Sequence, residues 1–286
     1  MNLLSSRSKR VNRNTAGNIT SFLLLSVLAL FMAFPLVYVI LNAFKPLSEL
    51  FLYPPKFYVV NPTLDNFRDI VILMSQSYVP FTRYFFNTVF ITAVGTFGHL
   101  IAASMCAFCL AKHDFPGRRI MFNAVVLALM FSPAVTSIPV YIIMARLGLV
   151  DTYLAVILPA FQFSLGLYLM KQFMETVPDA VLESARIDGA GEVRLWWKIV
   201  MPMVKPAWLT LILLTVQQLW NSTSPFTYSE ELKTLPLALS QILAGGIART
   251  GAGSAVAVLM MIIPLTAFIL SQANVLETMS TSGMKD

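Results

Sequence analysis

Charge is what this sequence lacks. Only 12% of its 286 residues are Asp, Glu, Lys or Arg, about half the ~25% of an ordinary soluble domain. That is too little to cover a water-facing globule, so a soluble enzyme of one or two domains is excluded and the question becomes how often the chain crosses a membrane. Histidine is nearly absent as well. His99 and His113 alone make neither a metal triad nor a His-Glu-x-x-His helix. The two cysteines, Cys106 and Cys109, exclude a disulfide framework; their redox-like spacing falls in an apolar run, where thiols serve as small packing residues. No Gly-x-x-x-x-Gly-Lys-Ser/Thr phosphate loop occurs, so the chain cannot hydrolyse ATP by that route. No carboxylate or lysine lies inside the long apolar runs, which disfavours a proton- or sodium-coupled carrier.

What is present is length without charge. Six charge-free windows reach, or come within one residue of, the ~20 residues a helix needs to cross a bilayer: Asn14–Phe44, Tyr84–Ala111, Ile120–Ala145, Thr152–Met170, Pro206–Ser229 and Thr250–Leu276. The next, Thr234–Ala248, has 15 residues. The windows are apolar all round rather than alternating, which excludes membrane strands. The fold class is therefore an all-α membrane protein of six transmembrane helices. The spans fall at about 19–43, 84–111, 120–144, 152–170, 206–224 and 252–274. A short segment, 1–18, precedes a single domain, 19–286.

Placing the N-terminus inside the cell puts 13 basic residues on the cytoplasmic side, among them Arg7, Lys9, Arg10, Arg13, Lys112, Arg118, Arg119, Lys171 and Lys285. Seven remain outside, four of them in the long Lys45–Arg83 loop. The positive-inside rule then makes both termini cytoplasmic. The net charge of +6 thus belongs to a lipid bilayer, with no nucleic-acid partner implied. The first window follows a basic stretch but is too long for a secretory signal and lacks a small-residue cleavage site, so it reads as a retained helix. Pro54-Pro55, Asn61-Pro62 and nearby aromatics make the Lys45–Arg83 loop a turn-rich cap near the headgroups. Prolines 35, 133, 139, 159 and 264 are tolerable kinks within spans.

The segment Lys171–Lys205, between the fourth and fifth spans, is longer than a connection requires. Thr176 before Pro178 reads as a helix start. Asp179, Glu183 and Arg186 share one face, Leu182, Ala185 and Gly189 another, and Gly189 with Gly191 stops the helix. A second run, Glu192–Met201, places Val193, Trp196, Trp197 and Val200 opposite Arg194 and Lys198 and ends at Pro202. It reads as an interfacial helix with its tryptophans toward lipid. The first helix, short and projecting into the cytoplasm, suits docking into a groove of a partner.

In these residues the chain resembles the permease subunits of bacterial binding-protein-dependent ABC importers. The family pattern is Glu-Ala-Ala, three residues, Gly, nine residues, Ile, one residue, Leu-Pro. It stands here as Glu183-Ser184-Ala185, Gly189, Ile199 and Met201-Pro202, with Ser184 and Met201 as conservative departures; Asp188-Gly189-Ala190 also fits. Pro62–Phe67, Leu147-Gly148-Leu149 through Pro159, and Trp220-Asn221 are similar to the carbohydrate branch, most of all to the second membrane subunit of the maltose type. The tail departs, with Glu277-Thr278-Met279 where relatives often carry a hydrophobic residue and glycine. The resemblance implies a division of labour in a bacterial cell membrane. A second homologous permease shares the pathway, an ABC ATPase dimer binds ATP and Mg, and an extracytoplasmic binding protein delivers the sugar. Glu183, Ser184, Ala185, Asp188, Gly189, Ala190, Ile199 and Pro202 would then couple the permease to its ATPase. This chain itself would hold no cofactor or metal.

A pathway for a neutral polyol needs amides, hydroxyls and aromatic faces. His99, Gln162, Gln217, Gln218, Trp220 and Asn221 qualify within the spans, with Phe131, Tyr141 and Phe161 as stacking surfaces. For each, an interhelical hydrogen bond is the plainer role. Gln217 and Asn221, one turn apart, form the leading pair because the cluster Gln217–Asn221 cannot all face lipid. Two alternatives stay open: an importer permease for a non-sugar solute, and a non-transporting membrane scaffold.

Overall fold

The computed structural model describes residues 15–75, 78–244, 246 and 249–282. Arg7, Lys9, Arg10, Arg13 and Lys285, which entered the orientation argument, lie outside the described residues. Every regular element among the described residues is helical. Four helices are long and apolar enough to cross a membrane: Ile19–Ala43, Phe81–Lys112, Leu154–Glu175 and Thr250–Leu270. Two bent pairs, Arg118–Ala128 with Pro133–Arg146 and Glu192–Met203 with Lys205–Trp220, raise the number to six if each is one span.

The centre of the bundle is α4 (Phe81–Lys112), packed against α7 (Leu154–Ala160), α8 (Ser164–Glu175) and α12 (Lys205–Trp220). On the far side of α12 lies α14 (Thr250–Ser282), and outside that α1 (Thr15–Ala43). Lipid offers no hydrophobic drive between helices, so close approach comes from small residues at the contacts. At Gly98 a Cβ would fall 2.3 Å from the Phe161 ring, and at Gly166 2.3 Å from His99 Nε2. By contrast α1 buries none of its apolar window and presents Phe22, Leu30 and Phe31 outward. Its end is fixed by buried Asn66, whose amide donates to Ala43 O at 2.9 Å and Lys45 O at 2.7 Å, two carbonyls the helix terminus leaves unpaired.

The third span departs from the expected continuous helix. It breaks into α5 (Arg118–Ala128) and α6 (Pro133–Arg146), which meet at 115°. Pro133 forces Ser132 out of helical geometry, and Ser132 (ψ 140°) then acts as a new N-cap, accepting from Ala134 N at 3.4 Å. The Lys45–Arg83 loop, expected to be mostly turns, contains α2 (Leu47–Leu50) and an 11-residue helix, α3 (Asp65–Ser75). Glu49 braces it by accepting from Val60 N and Asn61 N. Cys106 and Cys109 are exposed on the outer face of α4 rather than packed.

Candidate coupling helix and pathway groove

The projecting helix forms as α9 (Asp179–Ile187). Its start is not at Thr176, which ends α8 and donates its hydroxyl to Phe173 O. Pro178 is the N-cap, its fixed φ preorganising the first turn. The end of α9 explains the motif's glycine. Gly189 has φ +83°, its N–H donates to Arg186 O, and Ala190 N–H donates to Ala185 O at 2.9 Å. That pair of bonds is a Schellman stop, and it requires a residue at ease in the left-handed region. No atom lies within 4 Å of a Cβ placed there, so the demand is conformational rather than steric. Gly191 does not help stop α9; it is extended and caps the next helix, Glu192–Arg194 (α10).

Leu182 is buried, while Glu183, Ser184, Asp188 and Gly189 are exposed, as is Ile187 at 86%. Ala185, Ala190 and Ile199 pack partly against the core around Met170, Met174 and Leu211. The following run turns π-helical over Leu195–Val200 before α11 (Met201–Met203). This shifts the register from the 3.6-residue face on which the tryptophans were expected to meet lipid. Trp196 and Val200 point into the core, while Trp197 is half-exposed and Val193 is exposed. Pro202 is exposed within that last turn, and the chain bends by 85° into α12. Trp208 Nε1 satisfies the Met201 carbonyl at the corner.

Residues not singled out from sequence hold this unit to α4. The Lys112 ammonium, its side chain 4% exposed, donates to Val177 O at 2.5 Å and to Asp179 Oδ1 at 2.7 Å. The Lys112 hydrogen bond holds the Asp179 carboxyl below the ordinary aspartate range. His113 Nε2 lies 3.1 Å from Glu192 Oε2, and Arg186 Nε donates to Glu192 Oε1 at 3.2 Å. Partial burial pushes the Glu192 carboxyl up, but Arg186 and then His113 outweigh it, leaving its pKa lowered. The turn at His113 is thus part of a brace. Its signal was the alternation of charge between the Lys112–Asp114 turn and α9–α10.

A groove of about 420 Å³ lies between α6, α7 and the end of α12. Gln162, Gln218 and Asn221 line it, joined by Thr136 and Ser137 from α6 and by Ser222 and Thr223. The hydroxyl run after Asn221 was the sequence cue to these last two. Gln217 is exposed but outside the groove, and its carbonyl accepts from Asn221 Nδ2 at 2.9 Å. Trp220 is buried elsewhere; its indole donates to Met260 O at 3.0 Å and its ring meets Phe85 edge-on. Of the stacking candidates, Tyr141 packs on Phe226 and meets Tyr228 through their hydroxyls, while Phe131 is exposed. A larger cavity, about 830 Å³, lies at the α4–α5 corner. Two of its cations are already paired, Arg118 with Asp114 and Lys171 with Glu175. The smaller groove is the one lined by uncharged polar groups.

The family of inner membrane components of binding-protein-dependent transport systems matches residues 99–279. The arabinooligosaccharides transport system permease protein AraQ of Bacillus subtilis (strain 168) is 30% identical over 270 residues, 92% of this chain and 93% of the relative. Protein LplC of the same organism is 34% identical over 192 residues, 65% of this chain, which spans 61% of that relative. Among solved structures, a bacterial ABC transporter involved in the import of the acidic polysaccharide alginate shares the fold. Its TM-score is 0.76 at 22% identity, over 93% of this chain and 99% of its own.

Proposed function

The chain belongs to the family of inner membrane components of binding-protein-dependent transport systems and is a permease of the ABC importer type; on that premise we propose that its cargo is a sugar or oligosaccharide. The uncharged, hydroxyl- and amide-lined groove fits a neutral polyol, and a relative named for arabinooligosaccharides covers nearly the whole chain. A second homologous permease completes the pathway, an ABC ATPase dimer binds ATP and Mg beneath it, and an extracytoplasmic binding protein delivers cargo. The chain is multi-pass in a bacterial cytoplasmic membrane, with both termini inside. Supporting this orientation, α9 sits at the Lys112 end of α4, beside Arg118 and Arg119 at the start of α5.

The observation that carries the reading is α9 itself. It exposes Ile187 while Leu182 and the Lys112 clamp tie it to the central helix. A partner that moves α9 therefore moves α4, and with it the packing around the groove. Gly189→Val tests this, because a β-branched residue in the left-handed region costs at least ~1–2 kcal/mol and unwinds the stop. The expected result is a membrane-inserted chain that no longer retains an ATPase through gentle-detergent purification and shows no uptake. Normal uptake by this variant overturns the coupling role. A wild-type chain that purifies alone favours a scaffold.

A further inference from the structure

Seven buried side-chain polar atoms lack a partner among the described residues, and four of them cluster on α4: Thr92 Oγ1, Thr96 Oγ1, His99 Nδ1 and His99 Nε2. These residues are 7%, 6% and 0% exposed. With Gly95 they recur at helical spacing on one face. Threonines in a helix ordinarily satisfy themselves on the preceding turn. Thr88, Thr210 and Thr215 do so here, donating to Tyr84, Pro206 and Leu211 carbonyls. Thr92 and Thr96 do not. Buried polar groups are almost always bonded, and an unbonded cluster calls for a ligand or another state of the protein that supplies partners.

What covers the stripe is the back of the groove. A Cβ at Gly95 would meet Leu219 Cδ1 at 2.6 Å and Ala160 Cβ at 3.8 Å, and both residues also line the groove. One residue further, the helix breaks between α7 and α8. There the Phe161 ring lies over Gly98, and the Phe163 ring stands 5.8 Å from the His99 ring. Side chains from α12 (Leu219) and from the α7–α8 break (Ala160, Phe161, Phe163) thus separate the unpaired hydroxyls, and an imidazole held only by the Phe161 backbone, from the groove.

We propose that Thr92, Thr96 and His99 form a second polyol-binding segment of the transport pathway, occluded in this conformation and uncovered when α7–α8 and α12 part from α4. The inference rests on the groove being the pathway. Hydroxyls and imidazole both donate and accept, as a sugar's hydroxyls do, and none carries a fixed charge that would hold a neutral solute too tightly or exclude it.

The test uses the assembled importer in vesicles, with Cys106→Ala and Cys109→Ala removing the exposed native thiols. Thr96→Cys and, separately, Asn221→Cys are then challenged with a charged, water-soluble methanethiosulfonate, without nucleotide and with ATP plus vanadate. The expected result is Asn221→Cys labelled in at least one state, and Thr96→Cys labelled at least tenfold faster in one state than in the other. Labelled Asn221→Cys beside Thr96→Cys that stays unlabelled in both states overturns this inference alone. Unlabelled Asn221→Cys in both states overturns the groove itself. Thr96→Val gives an independent readout, since it keeps shape and loses only the hydroxyl. Uptake several-fold lower in a normally assembled complex supports the proposal, and unchanged uptake overturns it.

Discussion

The first and middle stretches of α4 treat polar side chains in opposite ways. From Tyr84 to Thr88 every polar group is engaged. The Asn87 amide donates to Glu231 O and Lys233 O at 2.8 and 2.9 Å and accepts from the Tyr153 hydroxyl at 2.8 Å. Thr88 accepts from Leu235 N, and Tyr84 reaches the Glu230 carboxylate. One to three turns later Thr92, Thr96 and His99 are also buried, and among the described residues the two threonine hydroxyls have no partner while His99 has only the Phe161 backbone near it. One stretch is therefore a fixed anchor for the 226–235 loop, and the other is a surface waiting for a partner. A helix nailed at both ends, here by Asn87 and at the far end by Lys112, can carry displacement past an unbonded middle.

The largest effect should come from the anchored stretch. Asn87→Leu orphans two loop carbonyls and a tyrosine hydroxyl, partly buried groups that converge on the fully buried Asn87 side chain. At about 1–3 kcal/mol for each orphaned group, the loss should total ~3 kcal/mol or more. A fall of many degrees in the thermal aggregation temperature of the purified complex is the expected result. A shift of a degree or two would show that the anchor is replaceable and that the contrast between the stretches is not energetic.

The same substitution logic gives the reverse sign in the middle. The double variant Thr92→Val with Thr96→Val removes two unbonded hydroxyls at nearly constant shape, so stability should hold or rise by about 1 kcal/mol. The aggregation temperature should not fall. A drop comparable to that of Asn87→Leu would mean that both hydroxyls are bonded in the working protein, and the two stretches would then be alike.

How much of this was legible beforehand follows the scale of each signal. The long apolar helices and the projecting helix α9 were readable because lipid allows no unpaired backbone or stray charge over ~20 residues, and because the Ala185–Gly189–Ala190 stop is a local backbone device. The 115° break at Ser132-Pro133 was present as a cap followed by proline, yet the apolar window ran across it uninterrupted. The π-helical turn at Leu195–Val200, within which Trp196 faces inward, left no trace in composition. The bonded partners of Asn87 lie 66 to 146 residues away along the chain, beyond the reach of any window. Trp220, Asn221 and Gln217 are neighbours in sequence that the helix sends to three different surroundings.

The smallest effect concerns pH and sharpens the account of the far end. Lys112 lowers the Asp179 pKa, so the clamp is fully formed above the ordinary aspartate value of about 3.9 and is lost only as pH falls through the lowered one. Lys112→Met should reduce uptake about tenfold while leaving nucleotide hydrolysis by the complex in place, because α9 still docks but no longer pulls on α4. The ratio of wild-type to Lys112→Met uptake should then be flat from pH 5.5 to 8, the clamp being intact throughout that range. A ratio that changes across that window would shift the load from Lys112–Asp179 to the neighbouring His113–Glu192 contact. Glu192→Gln, which leaves Lys112–Asp179 untouched, would then reproduce the loss that Lys112→Met was expected to cause.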